Sequence, residues 1–330
     1  VTSPHTKPIR IGLLGASRIA VDAIIKPVQQ SHDYVVTAVA ASSQSRADLY
    51  AQKHSIEHAF GSYEALLDHC DVDLIYIGLP PNLHAKWSVM ALRSGKHVLC
   101  EKPFALDAAQ ARHMVNTARE LDLHLIEAYH YRYHPLFERV LKLCQHVDFG
   151  HIDTIHAQFD IPVPHEPGEF RYDRSMGGGA LMDLGCYPLH WARTIAGAEP
   201  QIIAAQAKAG SGDVDISFRA SLEFPSHTKA QISCDMDEEL SPGAVSKLEV
   251  LSSKNRLLVH NPLQPENGAA IHLEGALGNF EEAYSGTTFM HQLQYVAAQI
   301  RGEMPAITGG EDAINNMAAI EALYQHAGFK

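Results

Sequence analysis

The chain has 330 residues, 26 Lys plus Arg against 38 Asp plus Glu for a formal net charge of −12, and 46% apolar and 19% charged residues. That length allows two domains with separate cores, because one core seldom grows past roughly 250–300 residues. The acidic balance disfavours nucleic acid as a partner, no apolar run approaches the roughly 20 residues of a membrane span, and the opening VTSPHTKPIR lacks the features of a secretory signal, so a cytoplasmic protein is expected.

Ile9 to Leu14 is a short apolar run followed by Gly15-Ala16-Ser17-Arg18-Ile19-Ala20 and a helical pattern ending near Pro27. This reads as strand, tight turn and helix, the setting of a dinucleotide fingerprint in which helix amides face a pyrophosphate. Ser17 and Ala20 replace the second and third glycines, and taken alone the segment suits an ordinary strand-to-helix turn as well. The alternation continues: strand Tyr34–Ala41, helix Arg46–His54, strand Val72–Leu79 closed by Pro80-Pro81-Asn82, helix Leu83–Ser94, strand His97–Cys100, helix Ala108–Leu121 and strand His124–Ala128. Such alternation predicts a parallel doubly wound sheet, over 8–127, with its ligand at the carboxyl ends of the strands. The second strand ends without a carboxylate. Ser42, Ser43 and Arg46 stand there instead and suit a 2′-phosphate, so NADP(H) is favoured and NAD(H) remains possible; Arg46 alone also reads as a solvated helix residue.

From His151 the period becomes alternating. Val214, Ile216, Phe218, Ala220, Leu222 and Phe224 interleave with Asp215, Ser217, Arg219, Ser221 and Glu223, and Ala230, Ile232, Cys234 and Met236 repeat the pattern. With Ile152–Ile161, Gln201–Ala207, Lys247–Ser252 and Arg256–His260 this predicts a large, mainly antiparallel open sheet of about six strands in an α+β domain over 128–330. Its helix partner is Gly177–Ala196. Its other face is solvated or pairs with another subunit, which points to a homodimer or homotetramer. Asp312–Gln325 closes the chain as an amphipathic helix.

The chemistry concentrates in GGGALMDLGCYPLH, Gly177–His190, and in CEKP, Cys100–Pro103. On a helix Asp183, Tyr187 and His190 share one face. A lysine such as Lys102 beside a tyrosine lowers the tyrosine's pKa from its reference of about 10 and holds a substrate hydroxyl, a pairing suited to carbonyl–alcohol redox chemistry. Pro188 cannot bond the Leu184 carbonyl and should loosen that turn, at a cost of order 3 kcal/mol. The three glycines serve either packing or the approach of a ligand. Five cysteines, Cys70, Cys100, Cys144, Cys186 and Cys234, without a CxxC read as buried thiols. The pairs His54/His58 and His130/His134 have helical spacing, but one is polar and exposed and the other precedes Pro135, so no metal is expected.

The succession GASRIA, LPPNLH, GKHVLCEKP, EAYHYRYHP and FRYDRSMGGGALMDLGCYPLH resembles the glucose–fructose oxidoreductase/inositol dehydrogenase/MocA family across nearly the whole chain. The resemblance implies that Lys102 bonds the reacting hydroxyl, that Glu101 and Pro103 shape its turn, and that Asp183 positions substrate hydroxyls. Tyr187 stands where many members have histidine. That is similar to the branch of dihydrodiol dehydrogenases, some xylose dehydrogenases and sugar ketoreductases, and implies Tyr187 as the acid/base with His190 in support as a substrate contact. Nicotinamide and ribose contacts would fall on Pro80, Asn82, His84 and Arg132, and pyrophosphate contacts on Gly15, Ser17, Arg18 and Ile19. His130 replaces a residue more usually apolar, and Phe170, Arg171 and Tyr133 are pocket walls or structural residues. The implied activity is hydride transfer between a nicotinamide and a sugar, cyclic polyol or dihydrodiol. A dinucleotide-binding regulator without turnover and a glycosidase with tightly held NAD are the alternatives.

Overall fold

Ile9–Leu14 forms a strand, β1, and the residues after it repeat the strand–helix alternation with short additions. The computed structural model describes residues 7–69, 71–241 and 243–329; Cys70 and the first six residues of the opening segment lie outside them. The chain folds as two units: one comprises the chain up to Ala105, Ala109–His130 and Phe289–Ile314, the other Leu106–Ala108, Tyr131–Thr288 and Asn315–Lys330.

In the first unit β1 is followed by a π-helical turn, Val21–Ile25, running into α1, Lys26–Gln29. Then come β2 (Tyr34–Ala40), α2 (Gln44–His54), β3 (His58–Phe60), α3 (Tyr63–Leu67), β4 (Leu74–Ile77), α4 (Pro81–Arg93), β5 (His97–Cys100), α5 (Ala108–Glu120) and β6 (Leu125–Glu127). The strands pair in parallel in the order β3-β2-β1-β4-β5-β6, the doubly wound topology expected. β4 is buried at every position, as a strand covered on both faces must be. The Ser43 side chain accepts from the Arg46 amide and starts α2 two residues earlier than expected. α4 likewise begins at Pro81 rather than Leu83, because proline's fixed φ suits the first helical position.

The expected boundary at 128 does not capture Phe289–Ile314, which returns to the first unit. There α8, Thr288–Ile300, lays Leu293, Val296 and Ala297 against Ile9, Ile11 and Tyr76, and the Tyr34 hydroxyl donates to the Leu293 carbonyl at 2.6 Å. Burying each of the larger side chains contributes about 2 kcal/mol.

The second unit opens with α6, Pro135–Cys144, and holds a sheet of eight strands rather than six: β7 (Ile152–Asp160), β8 (Gln201–Ala209), β9 (Asp215–Glu223), β10 (Lys229–Asp235), β11 (Val245–Ser252), β12 (Asn255–His260), β13 (Ala269–Gly275) and β14 (Phe280–Tyr284). The order is β14-β13-β12-β11-β7-β10-β9-β8, antiparallel except for β7 with β10. One face is the buried row Ile155, Ala157, Ala230, Ile232, Leu248, Val250, Leu257 and Val259, on which α7 (Cys186–Ala196) packs. The opposite face bears His156, Arg219, Gln231 and Arg256, with Arg256 and Lys247 both paired to Glu249. α9, Gly310–His326, is longer at both ends than expected. Cys100, Cys144, Cys186 and Cys234 are buried thiols.

Candidate active site

The first unit gathers its candidates at the carboxyl edge of the parallel sheet. The Gly15 amide donates to the Ala40 carbonyl at 3.0 Å, and its φ of +105° belongs to the region glycine favours. A Cβ there would lie 2.7 Å from the Gly78 carbonyl oxygen, so the residue makes room for a close backbone approach. The Ser17 hydroxyl accepts from the Ala20 amide at 3.3 Å, and exposed Arg18 and Ile19 stand at the start of the helix. At the end of β2, Arg46 Nη1 donates to Ser42 Oγ at 3.1 Å beside Ser43. Two hydroxyls and a guanidinium thus cluster where a carboxylate would otherwise select NAD.

Past β4, Pro80 caps α4 and Asn82 follows, its buried Oδ1 without a hydrogen-bond partner. An orphan acceptor at a sheet edge suits the amide or hydroxyl of a ligand. His84 differs from expectation. It is fully buried, with Nδ1 2.9 Å from the Pro103 carbonyl and Nε2 2.7 Å from the Leu79 carbonyl. Burial pushes it down to about 4; the neutral ring, with one N–H, donates to one of these two carbonyls and sits between the Leu79 turn and the Lys102–Pro103 turn, so it offers a cofactor the shape of that edge rather than a ring nitrogen. Glu101 does similar work: it is buried and accepts from the Tyr76 hydroxyl at 2.8 Å. Lys102 is half-buried, and its charge, after burial itself, helps push His130 down to about 3. His130 stacks on Phe289 with ring centroids 4.3 Å apart.

In the second unit the candidates converge on the helix after the glycines. That helix opens as a π turn, Leu181–Gly185, and continues as α7, the wider turn standing just ahead of Pro188, whose missing donor was expected to loosen it. Asp183, Tyr187 and His190 are all buried. Arg171 Nε donates to Asp183 Oδ2 at 2.5 Å and its Nη1 to Glu169 Oε1 at 2.9 Å. The two carboxylates raise the guanidinium's pKa further, Asp183 most, and its Cζ lies 4.7 Å from the Phe170 ring centroid. Arg171 is therefore the clamp on Asp183. Tyr187 sits edge-on to Phe159 and Tyr131, with centroids 5.5 and 6.1 Å away. His190 has no exposed surface, and its Nδ1 lies 2.5 Å from the Tyr131 hydroxyl, which gives it a protein partner where a substrate contact was expected. Tyr133 is buried in the same short turn, and the Arg132 guanidinium lies 5.4 Å from the Phe137 centroid.

The glycines answer to packing: Gly177 and Gly179 have φ of +85° and +120°, and a Cβ on Gly178 would lie 2.5 Å from the Arg171 carbonyl oxygen. The sequence pattern does not mark Tyr131 and Asp215, whose partners are distant in the chain, nor Glu169, whose partner Arg171 is two residues on in a short non-periodic turn. Alternation placed Asp215 on the polar face, yet it is 1% exposed. Pairing of β8 with β9 shifts here, Lys208 opposing Ser217 and Ala209 opposing Asp215, and this bulge releases Asp215 from the alternation. Among the described residues no group of three His, Cys, Asp or Glu side chains could hold a metal ion.

Residues 9–129 match the family model described as an oxidoreductase family with an NAD-binding Rossmann fold, and residues 137–257 match the GFO/IDH/MocA carboxyl-terminal domain. The chain belongs to the GFO/IDH/MocA oxidoreductases. Within that family it is 30% identical over 320 residues to a D-xylose 1-dehydrogenase (NADP(+)) of Haloferax volcanii, covering 96% of each chain. It is 32% identical over 224 residues to a trans-1,2-dihydrobenzene-1,2-diol dehydrogenase of Xenopus tropicalis, covering 67% of each. The crystal structure of a 3-ketoreductase from Actinomadura kijaniata in complex with NADP and TDP-benzene superimposes with a TM-score of 0.88 at 29% identity, covering 97% of this chain and 98% of that one. Like these GFO/IDH/MocA members, the protein is an oxidoreductase with a nicotinamide-dinucleotide domain.

Proposed function

We propose that the protein is an NADP(H)-dependent dehydrogenase or reductase that interconverts a hydroxyl and a carbonyl on a sugar, cyclic polyol or dihydrodiol. The observation that carries the reading is Asp183, held by Arg171, one helical turn from Tyr187 in a tyrosine-rich interior. The Ser42, Ser43 and Arg46 cluster supports NADP(H), and the Gly15 cradle and the Asn82 orphan acceptor fit a dinucleotide. When bound, the nicotinamide supplies or accepts the hydride. Tyr187 gives a proton from its hydroxyl to the carbonyl oxygen in reduction and takes it back in oxidation. Lys102 stabilises the negative charge developing on that oxygen, and Asp183 accepts from a neighbouring substrate hydroxyl. The polar outer face of the eight-stranded sheet is the surface for self-association as a dimer or tetramer. Among the described residues no helix is long and apolar enough to cross a membrane, and four buried thiols suit a reducing cytoplasm.

Cofactor turnover against aldoses, cyclic polyols, dihydrodiols and keto-sugars tests the reading. NADP(H)-linked turnover with at least one class is expected. Cofactor binding without turnover in any class would favour a regulator, and glycoside cleavage without net change of cofactor a glycosidase.

A further inference from the structure

The helix that carries Asp183 and Tyr187 begins without a capping side chain of its own. Its opening amide, Leu181 N–H, donates instead to Asp215 Oδ2 at 2.8 Å, a residue 34 positions away at the start of β9. The other oxygen, Oδ1, accepts from the Tyr324 hydroxyl of α9 at 2.7 Å. The fit is close: a Cβ on Gly179 would collide with Oδ1. Two donors facing two oxygens suit an anion. A protonated carboxyl would bring a third hydrogen into the same space and turn one donor away. Asp215 also lines an open cavity of about 640 Å³, together with Arg174, Glu321 and Tyr324, through which solvent protons reach it.

We propose that Asp215 is a positioning residue for the reaction: its ionised carboxylate holds the first turn of the helix that bears Asp183 and Tyr187, and its protonation loosens that turn. The inference rests on the reading of Tyr187 as the proton donor and Asp183 as the group that positions the substrate. Burial raises Asp215 to about 6, against the lowering effect of Tyr324, the Leu181 amide and Arg174. The other groups facing it are Cys234 on β10, whose thiol burial holds protonated, and Asp213 and Glu321 on the cavity wall. An ionised carboxylate so buried weakens the fold, which sets this role apart from a structural one.

The test is the pH dependence of kcat in the intact enzyme with NADP(H), for the wild type, Asp215→Asn, Tyr324→Phe and Tyr187→Phe. The wild type is expected to lose kcat below about pH 6. Asp215→Asn should lower kcat roughly tenfold at pH 8 with KM little changed, lose the limb near pH 6, and keep or raise the thermal midpoint at pH 8. Tyr324→Phe removes a bond to the anion and should move the limb to higher pH, a readout that remains if Asp215→Asn does not fold. An unmoved limb in Tyr324→Phe, or an Asp215→Asn enzyme with wild-type kcat and limb, overturns the proposal. Near-normal turnover in Tyr187→Phe would instead overturn the reading on which it rests.

Discussion

Arg171 holds the Asp183 carboxylate with one hydrogen bond and Glu169 with another, and the side chains of Arg171 and Asp183 are 29% and 8% exposed. Removing one partner of so buried a pair weakens the hold on the other charge, which typically costs about 3 kcal/mol. Arg171→Met is therefore expected to lower unfolding free energy by about that amount and to depress turnover, since the carboxylate loses the guanidinium that orients it. Urea unfolding alongside steady-state kinetics checks both, and a variant as stable and active as the wild type would remove the clamp from the account. The acid itself could be read from the sequence, because Asp183 and Tyr187 stand four residues apart after a glycine run. The clamp could not. Arg171 reaches Asp183 from a separate turn across the glycines, and His190 turns to Tyr131, 59 residues away; neither contact leaves a periodic trace.

The helix bearing Asp183 and Tyr187 is secured at both ends. Asp215 takes its first amide, while near its last turn buried Arg193 grips Glu199 with two bonds of 2.7 Å and donates to Asn316 at 3.0 Å. The glycine ahead of it is part of the same arrangement. At Gly179 a side chain meets both an unfavourable φ of +120° and the Asp215 carboxylate, whereas Gly95, at φ +75°, has open space around it. Gly179→Ala should cost about 3 kcal/mol or more and Gly95→Ala about 1 kcal/mol in urea unfolding. Equal costs would show that backbone conformation alone matters at Gly179. Long elements were legible because their apolar period persists: β1, β5 and the body of α4 appear where the pattern puts them. β3 and α3, of three and five residues, are too short to show a period. β14 carries Glu282 on the side of Phe280 and Tyr284, which masks its alternation.

Two opposing titrations act on the stability of the whole molecule. Asp215 is raised to about 6 in the folded state, so the stabilisation it gives is present below its unfolded pKa of about 4 and is lost as pH rises through 6. His84 and His130 are lowered to about 4 and about 3, so theirs is present above about pH 6.5 and is lost as pH falls toward those values. Two histidines with larger shifts outweigh one carboxyl, and the thermal midpoint is expected to fall between pH 6.5 and 4. His130→Leu should shallow that fall and raise the midpoint at pH 5, as scanning calorimetry across pH would show; an unchanged slope would place the buried ring's contribution elsewhere. At this scale too, the family pattern in the sequence indicated the architecture but not the return of α8 to the first sheet, because an amphipathic helix carries no mark of which sheet it covers. The central claim is that this oxidoreductase moves a proton through Tyr187 while a hydride moves to or from NADP(H). Its most direct test is single-turnover and steady-state rates of Tyr187→Phe with a substrate found in the panel, with NADP(H) binding measured in parallel. A fall of roughly 10²–10⁴-fold with unchanged cofactor affinity is predicted, and a near-wild-type rate would contradict the mechanism.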